Sequence, residues 1–286
     1  MASRTWPSLY RHAPFFPLAL AALWVLNPAP AVAQTYPPDE EGAVAHLDTS
    51  PRHGEWIDFD AGDGDMVRAW VVYPERSGPA PVVVVIHEIY ALTDWIRGVA
   101  DQLAAEGFLA IAPDLISGQG PEGGGSESVD RQGAVALIRA LDPQEVTRRL
   151  KAAAAHATAL PSAGSTVGVV GYCWGGSTSF RMATEWPELG AAVVYYGGSP
   201  SAEALSAVRA PVLGHYGGDD ARVNATIPDA KAEMDRLGKF YEPNIYDGAG
   251  HGFLRQQSGR EGANMTATEA AWPRTIAFFK EHLGGD

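Results

Sequence analysis

From Pro81 to Glu88 the chain reads PVVVVIHE, an unbroken β-branched run of the kind that predicts a strand buried on both faces. Before it, EWIDFDAG and MVRAWVVYP partly alternate apolar and polar positions and are joined by Gly-Asp-Gly-Asp, which predicts a hairpin. After it the period changes. A helical pattern over 94–106 leads to Gly107 and a strand, FLAIAPD; helical stretches over 129–140 and 143–160 precede a strand TVGVVGYC. A helix over 175–185 precedes the strand AAVVYYG, and PVLGHYG follows a loop. A helix over 226–237 then precedes FYEPNIYDG, and a last helix covers 266–283. Strands alternating with helices require right-handed crossovers, so the fold predicted is α/β, a mostly parallel central sheet with helices on both faces.

The two ends of this pattern differ from its body. Arg4 and Arg11 precede an apolar stretch from Ala13 to Leu26, and the small-x-small sequence Ala31-Val32-Ala33 follows. Residues 1–33 therefore read as a secretory signal peptide cleaved before Gln34, giving an exported, periplasmic or secreted protein. The apolar run contains Pro17 and falls short of the roughly 20 residues that span a bilayer, so no stable membrane insertion is expected after cleavage. Residues 34–53, QTYPPDEEGAVAHLDTSPRH, are polar, proline-bearing and aperiodic, and predict a flexible or surface-hugging arm. The globular domain is expected over 54–286. Within it GQGPEGGGSES (118–128) reads as a glycine-rich loop, a mobile element near a site mouth or merely a linker. With 46% hydrophobic residues the chain can bury one large core. A formal charge of −13, more negative still without the two leader arginines, argues against nucleic acid or anionic membrane as partner.

The chain has one cysteine, which cannot form an intramolecular disulfide and, in an oxidising compartment, would be exposed to oxidation. It lies in Gly171-Tyr172-Cys173-Trp174-Gly175, between a predicted strand and a predicted helix. Gly-x-nucleophile-x-Gly in that setting is the sequence of a nucleophile elbow, with cysteine where serine is commoner. The sharp turn raises the side chain above the sheet at the positive end of the next helix. That end is expected to lower the thiol pKa and to stabilise a developing oxyanion. A nucleophile needs a base, and the base an orienting acid, in the order nucleophile, acid, histidine on such a fold. Of the downstream histidines, His251 lies in a glycine-flanked loop, His215 inside an apolar strand and His282 in the final helix. Asp219 and Asp220 stand together at a strand's carboxyl end, where open α/β sheets build ligand sites.

From about Gly54 to the C terminus, HEIYAL, APDL, GYCWGG, YYGG, HYGGDD and AGHGFLR together resemble the dienelactone hydrolase family of the α/β-hydrolase fold. The resemblance implies Cys173 as nucleophile, His251 as base and, aligned on Gly217-x-x-Asp, Asp220 as orienting acid. It also implies that Glu88 contacts the resting thiol and helps to ionise it. The oxyanion hole would be the backbone N–H groups of Trp174 and Ile89. Arg255 matches a family arginine that holds a substrate carboxylate, and Arg131 is a looser match for another. The expected activity is cysteine-dependent hydrolysis of a small carboxylic ester or lactone, possibly anionic, through an acyl-thioester, with no metal or organic cofactor. A broad carboxylesterase, a peptide or polyester hydrolase and a non-catalytic binding homologue are the alternatives. The signal for export and the stretch 118–142 depart from the family pattern and leave the substrate open.

Overall fold

The computed structural model describes residues 1–3, 5 and 36–284. The apolar stretch and cleavage site of the predicted leader lie outside the described residues. No described helix is long and apolar enough to cross a membrane.

The strands are β1 (Gly54–Asp60), β2 (Met66–Val72), β3 (Ala80–Ile86), β4 (Leu109–Pro113), β5 (Ala163–Tyr172), β6 (Ala191–Tyr195), β7 (Val212–Gly217) and β8 (Tyr241–Tyr246). The helices are α1 (Ala43–Thr49), α2 (Asp94–Ala105), α3 (Arg131–Ala140), α4 (Pro143–Thr158) and α5 (Trp174–Glu185). They continue with α6 (Ala202–Leu205), α7 (Ala221–Asn224), α8 (Ile227–Arg236) and α9 (Ala263–Leu283). The sheet runs β1-β2-β4-β3-β5-β6-β7-β8. Only β1 and β2 are antiparallel to their neighbours, as the hairpin signal predicted; β3 to β8 are parallel throughout.

β3 shows why its sequence has no polar break. Val82, Val84 and Ile86 face one core with Leu150 of α4 and Phe180 of α5. Val83 and Val85 face the other, with Trp95 of α2 and Phe279 of α9. A period-2 strand between two helical layers must be apolar at every position. The parallel strands send their carboxyl ends to one edge, where Glu88, Cys173, Tyr196 and Asp220 follow β3, β5, β6 and β7.

Of the two forms expected for the arm, flexible or surface-hugging, residues 36–53 take the second. Residues 36–53 carry α1, which packs on α2, and the Trp95 indole N–H donates to Pro38 O at 3.0 Å. Gln257 Nε2 donates to Pro37 O at 2.9 Å. Asp101 of α2 accepts from His46 at 2.7 Å, from Ser50 Oγ at 2.6 Å and from Arg52. Burial alone would raise the Asp101 carboxyl, but these donors hold it down at about 2. The segment looked aperiodic because its partners lie elsewhere in the chain. The glycine-rich segment 118–128 is tied down too: Asp114 accepts from Ser126 N and Ser126 Oγ, both at 2.7 Å, and Leu92 N–H donates to the same hydroxyl at 3.0 Å.

Candidate active site

Cys173 ends β5 and opens α5 with φ +56° and ψ −114°, a conformation that costs roughly 1–3 kcal/mol and persists only where its surroundings enforce it. The flanking glycines are part of that enforcement. A Cβ on Gly171 would lie 1.9 Å from Gly175 O, and one on Gly175 would lie 2.3 Å from Ile86 O. The elbow thus presses α5 against the end of β3. This brings two backbone N–H groups from different elements, Trp174 and Ile89, near enough to the Cys173 sulfur to favour its ionised form.

His87 holds that junction together. Its ring is fully buried, donates from Nδ1 to Glu88 O at 2.8 Å, and accepts at Nε2 from Leu115 N–H at 3.3 Å. These partners assign the neutral Nδ1–H tautomer, and burial lowers the pKa in the same direction. The ring stacks on Trp174 with centroids 5.6 Å apart. One side chain therefore braces both residues whose amides act on the sulfur.

The resting electrostatics differ from the expectation drawn from the helix end. Burial, then the charge of Glu88, push the Cys173 thiol up, against the two amides and the more distant Arg222. The helix terminus does not win because the sulfur is largely desolvated beside an acid. Glu88 is itself unusual, 3% exposed, with its carboxyl raised to about 7 by burial and by Glu40, against the pull of Arg255. Thiol and carboxyl both resist ionisation while the other is charged.

On the far side, Asp220 follows β7 and caps α7, and its Oδ2 meets His251 Nδ1 at 2.5 Å. Asp220 is 7% exposed, whereas His251 keeps about a third of its side chain open to solvent. Asp219 turns outward to Arg260 at 2.9 Å, so of the two adjacent acids it is Asp220 that faces His251. His215 is buried between Tyr246 Oη at 2.9 Å and Thr275 Oγ1 at 3.1 Å, with its pKa lowered to about 3 by burial; it is a core residue. His282, near the end of α9, packs against Phe278.

Arg255 and Arg131 meet an acid that belongs to the chain itself. Arg255 Nε is 2.7 Å from Glu88 Oε2, and its Nη1 pairs with Glu40. Arg131 Nη1 reaches the other Glu40 oxygen at 3.0 Å. Both guanidinium groups sit over the Tyr90 ring, at 3.7 Å for Arg131 and 5.4 Å for Arg255.

A cavity of about 470 Å³ opens on Cys173, lined also by Ile89, Trp174, Ser177, Tyr196, Arg139 and Arg222. A neighbouring cleft of about 450 Å³ shares Trp174, Ser177 and Gly198 with it and extends along α5. Sequence reasoning gave no role to Tyr196, Arg139, Arg222, His87 or Glu40. Tyr196 is fully buried at φ +41°, with its ring 5.2 Å from that of His251. Only the YYGG string hinted at it. For Glu40 no local signal exists.

A parallel sheet, a strained cysteine elbow and an acid-histidine pair on successive strand ends define the α/β-hydrolase fold. The family model for "Dienelactone hydrolase family" matches residues 67–283, and the chain belongs to that family of hydrolases. The Pseudomonas putida carboxymethylenebutenolidase is 32% identical over 218 residues, covering 74% of this chain and 91% of the relative. A dienelactone hydrolase-like promiscuous phosphotriesterase from metagenomic libraries superposes with TM-score 0.70 at 26% identity, covering 82% of this chain and 99% of its own. Dienelactone hydrolase from Anabaena variabilis, at 22% identity and TM-score 0.61, covers 81% of this chain and 99% of its own and shares the fold.

Proposed function

We propose that this hydrolase cleaves carboxylic esters or lactones through Cys173 and an acyl-thioester. The observation that carries the reading is the strained elbow at Cys173, whose sulfur the Trp174 and Ile89 amides help to ionise. Donors aimed there also face the carbonyl oxygen of a substrate that the sulfur attacks, and oxyanion stabilisation of this type is worth roughly 3 kcal/mol per donor.

The raised thiol pKa makes proton removal part of the reaction. Cys173 S–H gives its proton to His251, whose Nδ1–H is held by Asp220. The sulfur attacks the carbonyl carbon, and the oxyanion is bound by the two amides. Collapse breaks the C–O bond, the leaving oxygen takes a proton from His251, and the acyl group stays on sulfur. Water then gives His251 a proton and adds to the thioester; collapse releases the acid and returns the proton to the thiol. The partial exposure of His251 supports access for that water.

The reading also includes export, supported by the basic, apolar and small-residue order of residues 1–33; it predicts a mature chain beginning at Gln34 by mass spectrometry. The central test is Cys173→Ala. It should abolish hydrolysis of p-nitrophenyl acetate and of simple lactones with folding intact by circular dichroism; turnover at the wild-type rate would sink the proposal.

A further inference from the structure

Glu88, whose charge reaches the sulfur, belongs to a cluster of two acids and two bases with Glu40, Arg131 and Arg255, the arginines lying over Tyr90. Ile89, whose amide acts on the sulfur, is one residue from Tyr90, whose ring carries both guanidinium groups. Glu88 and Arg255 already balance each other in the interior, at 4% and 8% side-chain exposure. Arg131 is 52% exposed and needs no counter-ion for its own solvation. Neither arginine therefore requires a third partner, yet Glu40 offers one oxygen to each. Its backbone is fixed as well, since Glu40 N–H donates to Arg255 O at 2.9 Å. The Glu40 side chain keeps 38% exposure, so the carboxylate stands between the buried Arg255 guanidinium and solvent.

We infer that Glu40 is a specificity-determining residue: a tethered carboxylate that fills the Arg131–Arg255 anion site, so that Cys173 serves uncharged acyl groups and discriminates against acid-bearing ones. The ester chemistry in this statement rests on the reading given under Proposed function. A carboxylate delivered by its own backbone acts at high effective concentration, and a substrate carboxylate must displace it to reach Arg255 or to bridge the two arginines. It also adds a negative charge that an incoming anion meets on approach. Glu88 cannot take this part, because it is enclosed beneath Arg255.

The test compares matched pairs of reagents that differ only in charge. The ester pair is 4-nitrophenyl hydrogen succinate and its methyl ester. The alkylation pair is iodoacetate and iodoacetamide, which report on Cys173 unambiguously because it is the sole cysteine. Each anionic-to-neutral rate ratio is measured on one sample, so the fraction of folded protein cancels in the ester ratio, and the alkylation ratio is taken on natively folded protein. Glu40→Gln should raise the ester ratio by about tenfold, the factor supplied by one charge-assisted hydrogen bond. The alkylation ratio should rise in the same direction, and adding Arg131→Ala should take back part of both gains. Ratios that stay at the wild-type value, or fall, overturn the proposal. If neither ester is turned over while the alkylation ratio still rises, the hydrolase reading fails and the role of Glu40 stands.

Discussion

Adding one methyl group at Gly175 tests whether the elbow geometry, rather than the cysteine alone, makes the site. A Cβ there would stand 2.3 Å from Ile86 O and 2.4 Å from His87 O, both on the main chain at the end of β3. Ordinary carbon–oxygen contact begins above roughly 3.2 Å, so α5 and β3 must part by about 0.9 Å. The Ile86 carbonyl is held against rotation because Ile86 is paired with Gly171 of β5. The displacement falls on the junction that sets Trp174 N–H against Ile89 N–H. A shift near 1 Å in a reacting geometry costs about 100-fold in rate, and such overpacking costs about 1–3 kcal/mol of stability. Gly175→Ala should therefore lower kcat/KM on p-nitrophenyl acetate by about two orders of magnitude, with a modest fall in Tm. Gly78→Ala is the control: it lies between β2 and β3, and its added methyl would find nothing nearer than 4.0 Å, so it should keep activity within about threefold. A Gly175→Ala protein that keeps wild-type kcat/KM and Tm would refute the argument that close approach of the elbow to β3 aligns the amides.

Two further outcomes follow from the charges. The Glu88 carboxylate opposes ionisation of the thiol, so Glu88→Gln should lower the pH midpoint of iodoacetamide labelling of Cys173; an unchanged or higher midpoint contradicts the assignment. Asp101 is held at about 2, below its ordinary 3.8, so its contribution to stability is complete above about pH 4 and is lost as pH falls through 2. Asp101→Asn should accordingly destabilise by about 2 kcal/mol at pH 7, and thermal melts should show the gap from wild type closing toward pH 2.

The parts of this molecule legible in the sequence are those whose cause is local. β3 is readable because burial on both faces leaves no polar position, and the elbow because glycine spacing and the strand-to-helix change lie within ten residues. Asp220 needed more: the sequence offered two adjacent acids, and only the backbone after β7 decides which one faces His251. The thiol pKa was misjudged because a helix end can be inferred from sequence while desolvation beside Glu88 cannot. The choice between a flexible and a surface-hugging arm stayed open for a related reason. Pro37, Pro38 and Glu40 find their partners at Gln257, Trp95 and Arg255, and no periodicity records a partner so far along the chain.

Those same contacts bear on the order of assembly. The Glu40–Arg255 pair closes a loop of 215 residues and the Pro37–Gln257 bond one of 220. Loop closure grows costly only slowly with length, but such contacts form after the local ones, and here after the C-terminal part has been made. The central sheet can be complete while the arm is still unattached. Refolding should then show a late step in which the arm is captured, and the nucleophile would acquire its charge preference only at that step. A cut between Gly42 and Gly54 would leave the sheet to fold and strand this last piece, separating competence to react from the ability to choose.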